Sequence, residues 1–254
     1  MLPITIITDF GYSDHYAGAM KLKILQIFPE AKIVDITHGV KRHNVRHASY
    51  VLNAIYRIGM KAVHLVVVDP GVGSGRECLA IKLKNGYAVL PNNGIISPLR
   101  DEIIEIYEIP VPPDASATFH GRDVFAPTAA KIAKGVKPEK FCTKFPKEKL
   151  ILFNQPLLSG EKIVGEIFHI DHFGNVITNI PAEMVFFKIG DEIQVKIGNK
   201  IFQARMVKSY SEGRKNEIIA LINSENFLEF SINMGSAAKI LRVKEGSVVE
   251  VCSA

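Results

Sequence analysis

Two hydrophobic patterns alternate along the first half of the chain. Short apolar runs at Ile4 to Thr8, Lys32 to Thr37 and Ala62 to Val68 predict strands. The third is apolar throughout, as expected of a strand covered on both faces. Between them, Tyr16 to Phe28 carries Met20, Ile24, Ile27 and Phe28 at helical spacing and stops at Pro29. Asn44 to Ile58 places Val45, Ala48, Leu52, Ile55 and Ile58 on one face, with Asn44 to cap the helix and Gly59 to end it. Leu79 to Leu83, an Asn85-Gly86 turn and Tyr87 to Leu90 predict a hairpin. Val124 to Lys134 predicts a further helix with Pro127 in its first turn. This order predicts an α/β domain over 1–153, a mostly parallel sheet with helices on both faces.

The texture then changes. Residues 154–162 have no period and read as a linker. Short β-rich runs follow: Ile163 to Ile170, Val176 to Ile180, Glu192 to Ile197, Ile201 to Val207, Glu217 to Ile222, Ala237 to Val243 and Ser247 to Val251. Many short strands with tight turns predict a smaller all-β, barrel-like domain over 163–254.

Composition narrows the class. The 254 residues are 47 % hydrophobic and 22 % charged, which excludes a disordered or low-complexity chain. No apolar run reaches a membrane span, so no membrane partner is expected. The start, MLPITIITDF, has no basic segment before its apolar stretch, which argues against a secretory leader. Three scattered cysteines suit reduced thiols and a cytoplasmic location. The net charge of +5 is spread in blocks of at most two, so nucleic acid is not the expected partner. His38, His43 and His47 lack a strong ligand spacing, and no metal is expected.

Chemistry can sit where polar clusters fall at predicted strand ends. Asp9 ends the first strand, and its two oxygens suit a ribose diol; Asp14 follows and either caps the next helix or takes a ligand. The stretch Asp69 to Arg76 holds three glycines but runs into a strand, not a helix, so it is not a phosphate loop. Asp69 and Arg76 lie on the two arms of that turn, close enough to pair. A third cluster, Thr118 to Phe125, places Phe119 and His120 before a helix start, where His120 can polarise a water. In the second domain, Asp171 to Asn175 offers a carboxylate, the Phe173 ring and the Asn175 amide: groups that suit a purine with a cationic tail, or a plain hairpin turn.

In order, ITDFG, DITH, VVDPGVGSGR, LPNNG, FHGRDVFAP, IDHFGNVITNI and INSENFLEF resemble one family over essentially the whole chain. It is the S-adenosyl-L-methionine (SAM) hydroxide adenosyltransferases, SAM hydrolases related to the fluorinating and chlorinating enzymes. The resemblance implies hydrolysis of SAM to adenosine and L-methionine without a cofactor. It also implies a homotrimer with sites between the first domain of one subunit and the second domain of its neighbour. The catalytic set it implies is Asp69, Arg76 and His120. The implied substrate-binding residues are Asp9 for the ribose diol, Asp14 and Asp171 near the methionine amine, Phe119, and Phe173, Asn175, Tyr210 and Met234 at adenine. Ser224 would meet the methionine carboxylate, with Glu225 where some relatives carry an arginine.

The carboxylate at Asp69 disfavours a halide nucleophile, which sets this chain apart from the halogenating branch. Two alternatives stay open: a halide-dependent adenosyltransferase, and a binding protein without turnover. The water's proton has two candidate acceptors, Asp69 and His120. The expectation leans to His120, with Arg76 orienting Asp69.

Overall fold

Strand β1 (Ile4–Thr8) is buried at every position and has neighbours on both sides, β2 (Ile33–Thr37) and β3 (Ala62–Val67), both parallel to it. This is one sheet of a computed structural model that describes residues 1–254 in two compact units, Met1–Phe153 and Asn154–Ala254. Helix α1 (Tyr16–Ile27) links β1 to β2, and α2 (Val45–Arg57) links β2 to β3. The Asn44 side chain accepts a hydrogen bond from His47 N–H and starts α2 as the sequence predicts.

Strands β4 (Cys78–Leu83) and β5 (Gly86–Pro91) form the expected hairpin. Two further strands, β6 (Ile103–Glu108) and β7 (Thr143–Lys144), complete the order β2-β1-β3-β5-β4-β6-β7. The β6 strand was not among the expected elements. Three of the six pairings are parallel and three antiparallel, so the sheet is mixed, its parallel part confined to β2, β1, β3 and β5. Helix α1 and α3 (Ala126–Lys134) share one core with Ile4 and Ile6; α2 shares the other with Ile7. Adjacent residues of β1 thus feed opposite faces, as the pleat requires. A single π-type turn, Gly121–Phe125, precedes α3.

In the second unit a short strand, β8 (Leu157–Ser159), lies within residues 154–162 and pairs with β9 (Lys162–Ile170). The remaining strands are β10 (Val176–Pro181), β11 (Glu192–Ile197), β12 (Lys200–Met206), β13 (Ile219–Ile222), β14 (Phe227–Ser231) and β15 (Val248–Ser253). Seven of them, β10-β14-β13-β12-β11-β15-β9, close into a barrel through the β9–β10 pairing. Closure removes the exposed strand edges that an open sheet of this size would carry.

One predicted strand is corrected. Ala237 to Val243 contains a helix, α4 (Ala237–Leu241), with Ser236 accepting from Lys239 N–H at its start. Ala237 and Leu241, four apart, are buried while Lys239 and Ile240 are exposed, a helical period in a segment too short to reveal it by sequence.

Candidate active site

The first unit carries a cleft of about 570 Å3 beyond the carboxyl ends of β1 and β3. Asp9, Asp69, Phe119 and His120 all line it, as do Phe10, Tyr16, Arg42 and His43. The loop after β1 is fixed from beneath: Phe10 N–H donates to Thr8 Oγ1, and Gly11 N–H donates to His38 O at 2.7 Å. Asp9 Oδ2 accepts from His43 N–H at 2.8 Å. His43 adopts a positive φ of 61°, an uncommon conformation outside glycine that turns its N–H toward the carboxylate. Asp14 is exposed, caps no helix and is not part of the cleft wall.

Asp69 and Arg76 pair across the glycine turn. Arg76 Nε–H donates to Asp69 Oδ1 at 2.8 Å and Nη2 donates to Oδ2, a two-point contact between two nearly buried side chains. The turn between them packs closely on the segment before His120. Gly73 has φ +76°, and a Cβ there would stand 2.4 Å from Ala117 O. Only glycine meets both conditions.

His120 is 6 % exposed, and its Nδ1 lies 3.3 Å from Arg76 Nη2. Burial first, and then the guanidinium charge, lower its pKa below the ordinary histidine value. Arg76 is held above the ordinary arginine value: burial opposes its charge, but Asp69 and Cys78 together outweigh burial. Asp69 and His120 face the cleft while Arg76 stands behind them. Arg122 donates twice to Asp123, which also accepts from Ser116 N–H and so fastens the loop before His120.

Of the remaining polar clusters, LPNNG is structural. Asn92 donates to Glu77 and to Lys149 O, and Asn93 donates to Val68 O at 2.9 Å.

The second unit holds the other expected positions. Asp171 accepts from Phe173 N–H and Asn175 N–H through Oδ1, and from Asn175 Nδ2 through Oδ2. It thereby shapes its own hairpin loop and leaves Phe173 74 % exposed. Tyr210 donates its hydroxyl to the buried Glu229 at 2.9 Å. Burial, and then that carboxylate, push the Tyr210 hydroxyl well above the usual tyrosine range. Ser224 donates to Glu225, and Met234 is fully exposed at a positive φ of 54°.

Sequence reasoning missed three groups. Phe10 and Tyr16 form an aromatic wall with Phe119, the Tyr16 and Phe119 rings meeting edge-on at 5.1 Å. Phe10 stands inside the ITDFG run, which was the available signal. Cys78 touches both Arg76 and His120, and nothing in its local sequence marks it.

The chain matches the model of the SAM hydroxide adenosyltransferase N-terminal domain over residues 4–142 and that of the C-terminal domain over residues 165–250. It is 39 % identical to an (R)-S-adenosyl-L-methionine hydrolase of Methanocaldococcus jannaschii, covering 98 % of this chain and 95 % of that protein. A protein of the same name from Thermus thermophilus is 33 % identical, covering 99 % of this chain and all of the relative. Fluorinases match more distantly, at 23 % identity. Among solved structures, an uncharacterized conserved protein from Thermotoga maritima is 37 % identical with a TM-score of 0.87, over 98 % of this chain and 99 % of that one. The chain therefore belongs to the SAM hydroxide adenosyltransferase family.

Proposed function

We infer that the protein hydrolyses S-adenosyl-L-methionine to adenosine and L-methionine. The observation that carries this reading is the pairing of Asp69 with Arg76 beside His120 in the wall of a cleft that also holds Asp9. The relatives' names specify the (R) substrate, and the same sulfonium configuration is inferred for this chain.

The sulfonium is a cationic leaving group, so its departure needs no acid. Water oxygen attacks C5′, the C5′–S electron pair passes to sulfur, and neutral methionine leaves while one water proton is released. In this reading Asp9 takes the ribose diol and Asp69 accepts that proton on its way to solvent. His120 is the poorer acceptor, because its Nδ1 faces a guanidinium that only donates. Asp14, Asp171 and Ser224 remain proposed contacts for the amino-acid end, and Phe119, Phe173, Asn175, Tyr210 and Met234 for the adenosyl end. No metal or cofactor enters this chemistry. A halide nucleophile would stand against the Asp69 carboxylate, which disfavours the halogenating alternative.

We also propose a homotrimer in the cytoplasm. The resemblance and the exposure of the Phe173 and Met234 side chains in one copy support the trimer. The three unpaired cysteines support the location. No helix is long and apolar enough to cross a membrane.

The decisive experiment is an incubation with each sulfonium epimer, with and without chloride, followed by chromatography. Adenosine formed from the (R) epimer regardless of chloride is expected. 5′-Chloro-5′-deoxyadenosine, or no product at all, overturns the reading. Light scattering of the purified protein tests the trimer, and a monomer overturns it.

A further inference from the structure

Arg76 has five N–H donors, and the structure accounts for each. Nε–H goes to Asp69 Oδ1, and the two on Nη2 go to Asp69 Oδ2 and to His120 Nδ1. The two on Nη1 go to Glu77 O at 3.3 Å and to Cys78 Sγ at 2.9 Å. A guanidinium accepts nothing, and with five acceptors in place it has no donor left for substrate. Its ring-like plane is further limited by Phe125, whose centroid lies 5.2 Å from Arg76 Cζ.

Two consequences follow for His120. Because Arg76 can only donate, the nitrogen it meets must carry a lone pair, so the neutral ring bears its proton on Nε2. The Cys78 sulfur also lies 4.0 Å from Nδ1, on the same side of the ring. No protein group stands at hydrogen-bond distance from Nε2. That N–H is therefore available to whatever occupies the cleft that His120 lines.

We propose that Cys78 is a positioning residue: its sulfur takes the fifth donor of Arg76, sets the guanidinium against His120 Nδ1, and so holds His120 as a donor toward the nucleophile. The thiol suits this place. It is 2 % exposed and packs within the apolar core of the first unit, where a charged acceptor would carry a desolvation cost. Burial above all keeps it protonated, raising its pKa despite the neighbouring guanidinium. The charged groups bearing on His120 are Arg76, Asp69 and Asp123. The role for His120 rests on the hydrolase reading; its tautomer does not.

The test has two independent arms. In the first, ring 15N shifts of His120 are measured in the wild type, with His120→Gln used for assignment. The proposal expects an unprotonated Nδ1 and a protonated Nε2; the opposite tautomer overturns it whether or not the enzyme turns over SAM. In the second, Cys78→Val and Cys78→Ser are compared for kcat, KM and pH profile. Losing one acceptor of a charged donor should lower kcat about tenfold in Cys78→Val with KM little changed, and Cys78→Ser should recover most of it. The Cys78→Val profile should also move along its acid limb, and its His120 shifts should show mixed tautomers. A Cys78→Val enzyme with wild-type kcat, profile and 15N shifts overturns the proposal. Should Cys78→Val fail to fold, Cys78→Ala takes its place under the same criteria. If the wild type shows the expected tautomer and Cys78→Val shows mixed tautomers but no adenosine is released, the hydrolase reading fails and the assignment of Cys78 to Arg76 and His120 stands.

Discussion

His38 Nδ1 lies 2.7 Å from Thr8 Oγ1, so a fully buried imidazole supports the residue that precedes Asp9. The Thr8 hydroxyl also accepts from Phe10 N–H, so it ties the imidazole to the start of the loop. On its other side the ring lies 3.2 Å from Asp35 Oδ1, and Asp35 pairs with Lys21 on the surface. The DITH segment thus acts as a strut beneath the β1 loop.

Replacing His38 by leucine removes the shorter of the two hydrogen bonds of the buried Thr8 hydroxyl. A stability loss of about 1–3 kcal/mol is expected in urea unfolding, the cost of a lost partner at a buried polar group. Because the loop also orients Asp9, KM for SAM should rise more than kcat falls. Unchanged stability and KM would remove the strut role.

Asp69→Ala and His120→Ala should each bind adenosine nearly as the wild type does while turnover falls on the order of 10²–10⁴-fold. Titration calorimetry with adenosine and single-turnover chromatography separate the two effects. Wild-type turnover in both variants would show that these groups do not handle the water.

The glycine turn gives a third expectation. Gly73→Ala must both strain a positive φ and push a Cβ toward Ala117 O. The Asp69–Arg76 turn should retreat from the segment that leads to His120, lowering kcat with little effect on the barrel unit. A variant with normal kcat would mean that the two loops do not need their close approach.

His64 on β3 makes stability depend on pH. It is buried at 1 % exposure, and its one polar contact is Nδ1 with Thr5 Oγ1 at 2.9 Å. Burial lowers its pKa to about 4 from an ordinary 6.5. The unfolded chain therefore binds the extra proton first as pH falls, so this contribution is intact above about pH 6.5 and is lost progressively down to about pH 4. The full loss is roughly 3 kcal/mol, at 1.36 kcal/mol per unit. His64→Gln should flatten the pH dependence of unfolding over that window. An unaltered slope would mean that His64 does not titrate on unfolding.

Much of the local structure was legible because its causes are local. The capping asparagine of α2, the alternation of β1 with α1, and the β4–β5 hairpin, which turns at Lys84-Asn85 one residue before the expected Asn85-Gly86, follow from neighbouring residues. The segments that misled are those where context decides. The run Ala237 to Val243 predicts a strand, yet its first five residues include the helix formers Ala, Lys and Leu, Ser236 caps them and Ala238 N–H bonds to Gly174 O, which fixes a helix. Strand β6 was passed over, although Ile106 and Tyr107 are buried and pair with β4. Its β-branched and aromatic residues, Ile103, Ile104, Ile106 and Tyr107, were the available signal, while the partners of Ile106 and Tyr107 on β4 lie 25 and 27 residues back, at Ile81 and Ala80.

The amino-acid order alone determined the two-part organisation of the reading, the run of motifs that marks the family, and the residues to suspect: Asp9, Asp69, Arg76 and His120. Spacing along a chain says which groups are available, but not which atoms face one another. Only the folded sheet decided that Arg76 stands behind Asp69, that its guanidinium meets Nδ1 of His120, and that Cys78 joins them. Those relations join positions up to 44 residues apart. They depend on how β3, β4 and the turn before α3 converge, a matter of packing that no single segment encodes.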